Sequence, residues 1–268
     1  PTVEGDRLVV VRRGRAALDA MIDGEIASVR RHPDHDPSDI LAALVQRGEL
    51  DDAEVRDQVK TLVGAGYDTT SSTLAWLLWE ATLSTGLWGR LREEADVVLG
   101  PVGATETVPD DESLVGLALA ARTVRETLRL HPASGIAPRQ TAVAMTIGGF
   151  GIPAGTFACS APYLAGRDPD IWTDPLRFDP DRFLTLDDAQ RAAADLAWVP
   201  FGRGPRSCIG FALAQMELTL IVARLAQRLD LAPTATAPPA AQGLVVSKPR
   251  GGVPVLVSER QANALGAT

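Results

Sequence analysis

The 268-residue sequence predicts a mainly α fold with small β-sheets, and two observations carry that prediction. Residues 1–132 contain long segments with helical spacing of apolar side chains, bounded by capping residues. Residues 133–268 contain short β-prone segments between Gly and Pro turns, together with one further helical segment. Because 46% of the residues are hydrophobic, the chain can bury a substantial core, and its length suggests one large domain or two small ones.

Five helices are predicted in the first half, with capping side chains at their starts and Gly or Pro near their ends. They are expected over residues 15–31, from about residue 39 to 46, from Asp51 or Asp52 to about residue 83, over residues 87–99, and from residues 110–113 to His131. Residues 32–37, His-Pro-Asp-His-Asp-Pro, are expected to form a solvated linker between the first two helices.

The second half mixes strands with irregular segments. Strands are expected at residues 143–147, 151–153 and 156–160, and residues 161–183 are predicted to be ordered but irregular because they are rich in Pro and Asp. A helix is predicted over residues 211–229, and the segment 244–257 suggests two strands around a Gly251-Gly252 turn. Cys159 lies in an apolar strand and is expected to be a buried, inert thiol.

Composition excludes several classes of protein. The net charge of −8 lacks the basic footprint of a nucleic-acid binder, so no nucleic-acid partner is expected. No apolar run approaches 18 residues, so no membrane span is expected. Two cysteines make a disulfide scaffold improbable, and the N-terminus has no secretory signal pattern. We therefore expect a cytoplasmic protein.

The most informative segment is Phe201-Gly-Arg-Gly-Pro-Arg206-Ser-Cys208-Ile-Gly210, which directly precedes the predicted last helix. Arg206 and the unpaired N–H groups of that helix N-terminus create a positive potential that favours the thiolate form of Cys208. A single thiolate cannot close a four-ligand zinc site, but it can be the one protein ligand of a haem iron.

Two further motifs lie upstream. In Glu126-Thr-Leu-Arg129 the charges share one helical face, either as a solvated surface pair or as a partly buried pair that fixes the architecture. In Ala65-Gly66-Tyr67-Asp68-Thr69-Thr70, poor helix formers predict a local opening or kink. An acid beside a hydroxyl there could bind water and pass protons; a helix–helix contact through small residues is the alternative.

The order of these three motifs, with Phe178-Asp-Pro-Asp-Arg182-Phe183 between the second and third, resembles the cytochrome P450 family. The resemblance extends from about residue 15 to residue 257. It implies the cytochrome P450 fold, with haem b (iron protoporphyrin IX) as the cofactor and Cys208 as the metal ligand. The cofactor-binding residues it implies are Ala65, Gly66, Arg139, Pro200, Phe201, Gly202, Arg206, Cys208, Gly210 and Ala214.

The resemblance also assigns roles to other residues. Asp68 and Thr69 would deliver protons during O2 activation, while Glu126, Arg129 and Arg182 would form a structural charge triad. Residues 134–137 and 243–246 would line a pocket for a hydrophobic small-molecule substrate.

The activity implied is that of a haem-thiolate monooxygenase, which inserts one atom of O2 into a terpenoid or fatty-acid-like substrate, as bacterial members of the family do. No flavin or iron–sulfur motif is present in the sequence. A ferredoxin or flavodoxin-type electron donor is therefore expected, docking near Arg203.

The sequence departs from the family in length, because the family's N-terminal part has no counterpart in these 268 residues. The resemblance therefore implies that residues 1–268 form a single P450 domain lacking that part, with an open haem pocket. The chain could be a fragment of a longer enzyme, a short protein completed by a second chain, or a remnant without turnover. A truncated haem-binding protein that acts as a sensor is the alternative function.

Overall fold

The computed structural model describes residues 3–32, 39–100, 102, 109–243 and 245–260. Residues 33–37 of the expected linker, residues 103–108 and Leu244 lie outside the described residues. The described helices are α1 (Val3–Arg31), α2 (Ile40–Arg47), α3 (Asp52–Leu83), α4 (Leu87–Leu99), α5 (Asp111–Gly116), α6 (Ala118–Leu130), α7 (Pro162–Ala165), α8 (Asp188–Ala197) and α9 (Phe211–Arg228). The described strands are β1 (Ala137–Gln140), β2 (Met145–Ile147), β3 (Phe150–Ile152), β4 (Phe157–Ser160), β5 (Leu229–Pro233), β6 (Ala241–Gln242), β7 (Lys248–Pro249) and β8 (Val255–Glu259). The predicted mainly α fold with small sheets is confirmed.

The chain divides into two compact units, Pro1–Tyr67 and Asp68–Thr268. In the first unit, Ile22, Ile26 and Val29 of α1 form a buried stripe with helical spacing. They pack with buried residues of α2 and the start of α3. The Asp39 carboxylate accepts a hydrogen bond from the Leu41 N–H at 2.9 Å, which caps α2.

The core of the second unit is formed by α4, α6, α9 and the C-terminal part of α3. Its fully buried side chains include Leu77, Leu91, Val124 and Val222, one from each of these helices. Trp88 closes one end by donating its indole N–H to the Leu229 carbonyl at 2.9 Å, where α9 runs into β5. These helices form the support on which the loops of the second half are built.

The helix predicted from residues 110–113 to His131 is in fact two helices, α5 and α6, separated at Leu117. A long-range contact explains the break. The Glu94 carboxylate on α4 accepts the N–H groups of Leu119 at 2.6 Å and Ala120 at 2.9 Å. Since these are orphan donors of a helix N-terminus, Glu94 starts a new helix where the sequence pattern alone continues.

The predicted opening in the middle of α3 is absent, because α3 is one uninterrupted helix through residues 64–70. The Thr73 hydroxyl donates to the Thr69 carbonyl at 2.9 Å, which adds to the backbone bonding of this turn. The predicted small-residue helix contact is not seen either: a Cβ built at Gly64 or Gly66 would meet none of the described atoms within 4 Å.

Four small antiparallel sheets lie among the described residues, pairing β1 with β4, β2 with β3, β5 with β8, and β6 with β7. The predicted Gly251-Gly252 turn is present, with positive φ at both residues. The strands on either side of this turn, β7 and β8, do not pair with each other. Instead, β8 pairs with β5, which directly follows α9, and β7 pairs with β6. Cys159 on β4 is exposed, so the expected burial of this thiol is wrong: the β1·β4 sheet leaves much of its surface uncovered.

A buried charge cluster organises the irregular segment 161–183. The Glu126 carboxylate on α6 accepts two hydrogen bonds from Arg129 and one from Arg182, each at 2.8 Å. The side chains of Glu126 and Arg129 are fully buried, and that of Arg182 is 8% exposed. Of the two interpretations of the Glu-x-x-Arg pair, the buried architectural pair is therefore confirmed.

The guanidinium groups of the cluster bind backbone carbonyls of the same segment. Arg129 donates to the carbonyls of Gly166, Pro175 and Arg177. Arg182 donates to those of Thr173, Asp174 and Arg177. A Cβ added at Gly166 would lie 2.1 Å from the Arg129 carbonyl oxygen, so only glycine permits this approach. Residues 161–183 are therefore not irregular throughout, because α7 and a short 3₁₀ turn at Pro180–Leu184 lie within them. Between these two elements, residues 166–179 are ordered by hydrogen bonds rather than by regular secondary structure.

Removing the carboxylate should strongly destabilise the second unit. We expect Glu126→Ala to lower the free energy of unfolding by about 3–5 kcal/mol, because two buried guanidinium groups lose their counter-charge. Glu93→Ala, at an exposed position on α4, is the matched control and should change it by no more than about 0.5 kcal/mol. Urea denaturation measures both values. Equal, small effects for the two variants would contradict the structural role of the cluster.

Candidate functional site

The Cys208 loop is a closed turn between α8 and α9. The Cys208 N–H donates to the Phe201 carbonyl at 2.8 Å, and the Ser207 N–H donates to the Gly204 carbonyl at 3.0 Å. Gly202 and Gly204 have φ values of +69° and +74°, a backbone region that other residues rarely adopt. These bonds and glycines turn the backbone back on itself and leave the Cys208 thiol exposed at the surface.

Aromatic packing anchors the start of this loop. Phe201 makes edge-to-face contacts with Trp198 and Phe211, with ring centroids 6.0 and 6.4 Å apart. The Trp198 indole donates to the Arg125 carbonyl on α6 at 3.0 Å, and the Arg125 guanidinium lies over the Phe183 ring at 4.3 Å. The loop is therefore attached to the same helix that carries Glu126.

Sequence reasoning missed α8, which leads into the loop. Its start is a capping box: the Asp187 carboxylate accepts from the Gln190 N–H at 2.8 Å, and the Gln190 side chain accepts from the Asp187 N–H at 3.0 Å. The Asp-x-x-Gln spacing was the available signal. The Arg203 guanidinium, in the cysteine loop, donates to the Asp195 carbonyl of this helix.

Exposed apolar side chains directly follow Cys208 in the chain. Ile209 is 89% exposed, and Phe211 and Leu213 at the start of α9 are about half exposed. Large apolar surface is normally buried, so this cluster indicates a binding surface. Arg206 is also exposed beside it. One thiol, an apolar surface and a nearby cation together suit a planar apolar group that carries carboxylates.

The structure brings together most of the predicted cofactor residues. The loop and the first turn of α9 hold Pro200, Phe201, Gly202, Arg206, Cys208, Gly210 and Ala214. Ala214 donates its N–H to the Gly210 carbonyl at 2.9 Å, which closes that first turn. Arg139 lies on β1 opposite Ala158 and is exposed. Ala65 and Gly66 lie on α3 within the first unit.

Asp68 and Thr69, the residues expected to deliver protons, lie on α3 at the start of the second unit. Asp68 Oδ1 is 3.6 Å from the Lys248 Nζ on β7, and both side chains are about half exposed. Sequence reasoning missed Lys248, because no local pattern reports a partner that lies 180 residues away in the chain. Bonding around Asp68 is otherwise helical: its carbonyl accepts from the Ser71 hydroxyl at 3.3 Å.

A tight turn supports one of the two predicted substrate loops. Gly243 has a φ of +102°, and a Cβ there would lie 2.0 Å from the Val246 carbonyl oxygen. Val245 is 76% exposed. In the other loop the Ser134 hydroxyl donates to the Ile136 carbonyl at 2.9 Å, and Ile136 is 42% exposed. Both loops therefore present apolar side chains to their surroundings.

Hydrogen bonds lower the pKa of one carboxylate near the buried cluster. Bonding from Arg90, reinforced by Arg122, holds the pKa of Asp181 below its ordinary value. Asp181 adjoins Arg182 in the short 3₁₀ turn Pro180–Leu184. Its contacts tie this turn to α4 and α6 rather than contributing to the cysteine loop.

Comparison with known proteins identifies the class. The model of the family described as Cytochrome P450 matches residues 10–255. Cyclooctat-9-en-7-ol 5-monooxygenase of Streptomyces melanosporofaciens is 36% identical over 227 residues, which cover 82% of this chain and 48% of that protein. Pentalenene oxygenase of Streptomyces avermitilis is 34% identical over 222 residues, 80% of this chain and 48% of that protein.

A mycobacterial relative, Putative cytochrome P450 139 of Mycobacterium tuberculosis, is 34% identical over 82% of this chain and 52% of its own length. The chain belongs to the cytochrome P450 family. It spans about half the length of the curated relatives it matches. Within the described residues, no helix is both long and apolar enough to cross a membrane.

The two exposed cysteines allow a direct test of the cofactor surface. In the haem-free chain, both thiols should react with a disulfide reagent such as Ellman's. Added haem should protect Cys208 and leave Cys159 reactive, because only Cys208 lies in the loop that would bind the iron. The variants Cys159→Ser and Cys208→Ser assign the two reactions. Protection of Cys159 alone would contradict the placement of the site.

Proposed function

We propose that this chain binds haem b through the Cys208 thiolate and acts in a monooxygenase reaction, with O2 as the oxidant and a hydrophobic small molecule as the substrate. The observation that supports this most directly is the exposed Cys208 thiol, held in a glycine-rich loop at the N-terminus of α9. Thiolate-ligated haem, when bound, supplies O2 activation, since the thiolate pushes electron density towards O–O cleavage.

In this proposal the protein residues hold the haem by three kinds of contact. Cys208 would be the metal ligand. Arg206 and Arg139 would each pair with a carboxylate of the haem. The glycines of the loop let the backbone approach the haem closely. Residues that would line the remaining surface are Pro200, Phe201, Gly202, Gly210 and Ala214.

Asp68 and Thr69 are proposed to deliver protons. A carboxylate exchanges protons with water, and a neighbouring hydroxyl both donates and accepts, so the pair can move a proton from solvent towards the reacting oxygen. Asp68 is about half exposed, which gives its carboxylate access to water. The Thr69 hydroxyl would be the last protein group on that path.

The substrate is proposed to be a terpenoid or a fatty-acid-like molecule. Exposed Ile136 and Val245 give the two predicted substrate loops an apolar character. Two relatives are named for cyclooctat-9-en-7-ol and for pentalenene, which favours a terpenoid. Electrons would come from a ferredoxin or flavodoxin-type donor that docks on this chain near Arg203. The reaction is proposed to take place in the cytoplasm.

A second candidate function is haem binding without turnover, as a sensor or as one half of a site completed by another chain. The exposed apolar side chains next to Cys208 favour this alternative, because a surface of a second chain would cover them. Product formation with an added electron donor separates the two functions, because only the enzyme couples electron consumption to an oxygenated product.

The carbon monoxide spectrum tests the ligand. The haem-loaded ferrous chain should give the red-shifted band of a thiolate-ligated haem, and Cys208→Ser should abolish it because a serine hydroxyl is a poor ligand for iron. Cys159→Ser is the matched control and should keep the band. A thiolate band that survives in Cys208→Ser would disprove the ligand assignment.

Proton delivery is tested by the ratio of product to electrons consumed. We expect Thr69→Ala to keep the carbon monoxide band but to lower this ratio several-fold, because the hydroxyl relay is lost. Thr70→Ala, the neighbouring control, should leave the ratio near the wild-type value. Equal coupling in both variants would argue against a relay through Thr69.

A further inference from the structure

We propose that Lys248 is a positioning residue for Asp68: its ammonium holds the carboxylate in one place on α3. This inference rests on the proposed role of Asp68 in proton delivery. The two charged atoms are 3.6 Å apart, which is an ion pair rather than a hydrogen bond. Lys248 lies outside the motifs by which the sequence resembles its family.

An exposed ion pair between two flexible side chains usually has little effect, because ordering both of them costs about as much as the attraction returns. With the two side chains 47% and 48% exposed, this pair belongs to that type. This ion pair differs from most exposed pairs because the backbone next to Lys248 is held in place. The preceding residue, Ser247, is fixed to α3 by two partly buried hydrogen bonds.

The Ser247 carbonyl accepts two hydrogen bonds from α3, one from the Ser72 hydroxyl and one from the Trp76 indole at 3.1 Å. Ser72 is 4% and Trp76 3% exposed, so both donors would lack a partner without this carbonyl. On its other side, the Ser247 N–H donates to the Ala133 carbonyl at 2.8 Å. Ser247 is therefore held at both of its backbone polar groups.

Further contacts fix the indole that holds Ser247. The Trp76 ring stacks on His131 at the end of α6, with centroids 4.3 Å apart and planes 5° apart. The His131 Nε2 lies 2.7 Å from the Glu80 carboxylate, one turn further along α3. The anchor thus joins α3, the end of α6 and the segment before β7.

Helix geometry connects this anchor to Asp68. Ser72 follows Asp68 by four residues, so the two side chains are neighbours on one face of α3. Lys248 is the next residue after Ser247 and pairs with Gln242 in the β6·β7 sheet. The stem of Lys248 therefore starts beside the turn that carries Asp68, and this lowers the entropy cost of the ion pair.

The consequence is a carboxylate that is restrained yet open to water. The ammonium group has three N–H donors, so it can hold Asp68 while it also binds water. A residue without positive charge at position 248 would leave the Asp68 side chain free to adopt several rotamers. An arginine would keep the charge on a stem of comparable reach.

The ion pair can be observed without haem or turnover, because the chain has only two lysines, Lys60 and Lys248. Reductive methylation of the full chain with ¹³C-formaldehyde gives each lysine one dimethylamine NMR signal, in addition to the signal of the N-terminal amine. The signal that disappears in Lys248→Arg is that of Lys248. Asp68→Asn should shift the Lys248 signal and leave that of Lys60. The reciprocal control is Asp57→Asn, since Asp57 lies 2.7 Å from Lys60. A Lys248 signal that ignores Asp68→Asn overturns the proposal.

Ser72→Ala tests the anchor separately, because it removes one of the two donors to Ser247 and retains both charges. The Lys248 signal should then move towards its position in Asp68→Asn. An unchanged signal in Ser72→Ala would show that the anchor does not position the lysine, and would overturn that part of the proposal.

The functional arm measures product formed per electron. Lys248→Met should lower this ratio several-fold, as Asp68→Asn does, and the double variant should be no worse than Asp68→Asn alone. Lys248→Arg should recover most of the loss, which a purely structural defect would not allow. Wild-type coupling in Lys248→Met, or no recovery with arginine, would overturn the positioning role.

The carbon monoxide band distinguishes the two levels of inference. It should be retained in all of the Lys248 variants, because they lie outside the proposed set of iron-binding residues. Absence of the thiolate band in the wild-type chain would instead disprove the proposed function. The positioning role, which depends on that function, would then be disproved as well. The NMR measurement would still decide whether the ion pair exists.

Discussion

The second compact unit depends on one interaction, the buried Glu126 carboxylate between the guanidinium groups of Arg129 and Arg182. Two cations with one anion would be costly to bury, but the remaining N–H groups bond backbone carbonyls of segment 166–177. The cluster therefore replaces regular secondary structure over a stretch that is rich in Pro and Asp. Through α6 and Arg125 it also supports the aromatic anchor of the Cys208 loop.

The cysteine loop shows how a reactive group can be exposed on a rigid support. Two glycines with positive φ and the Cys208 to Phe201 backbone bond fix the turn, while Trp198 and Phe201 attach it to the helices. The thiol needs exposure to bind a metal, and the neighbouring Ile209 and Phe211 are exposed with it. Such an apolar surface marks a place where a cofactor or another protein surface binds.

On α3, one helix carries groups with quite different surroundings. Ser72 and Trp76 are buried and bind the Ser247 carbonyl, whereas Asp68, a turn earlier, is half exposed and pairs with Lys248. The buried turn therefore supplies the rigidity and the exposed turn supplies access to water. This division suits proton transfer, which requires both a fixed geometry and exchange with solvent.

The sequence by itself determined most helix positions, the Cys208 loop and the family, because capping, apolar periodicity and turn chemistry act over a few residues. The family resemblance also placed Arg182 with Glu126, and the structure confirms that contact. Only the tertiary structure decided that Glu94 divides the helix at Leu117 and that Lys248 reaches Asp68. It also decided that β8 pairs with β5 rather than β7, and that Cys159 is exposed. The physical reason is that these outcomes depend on which surfaces pack together, and a local pattern contains no information about a distant partner.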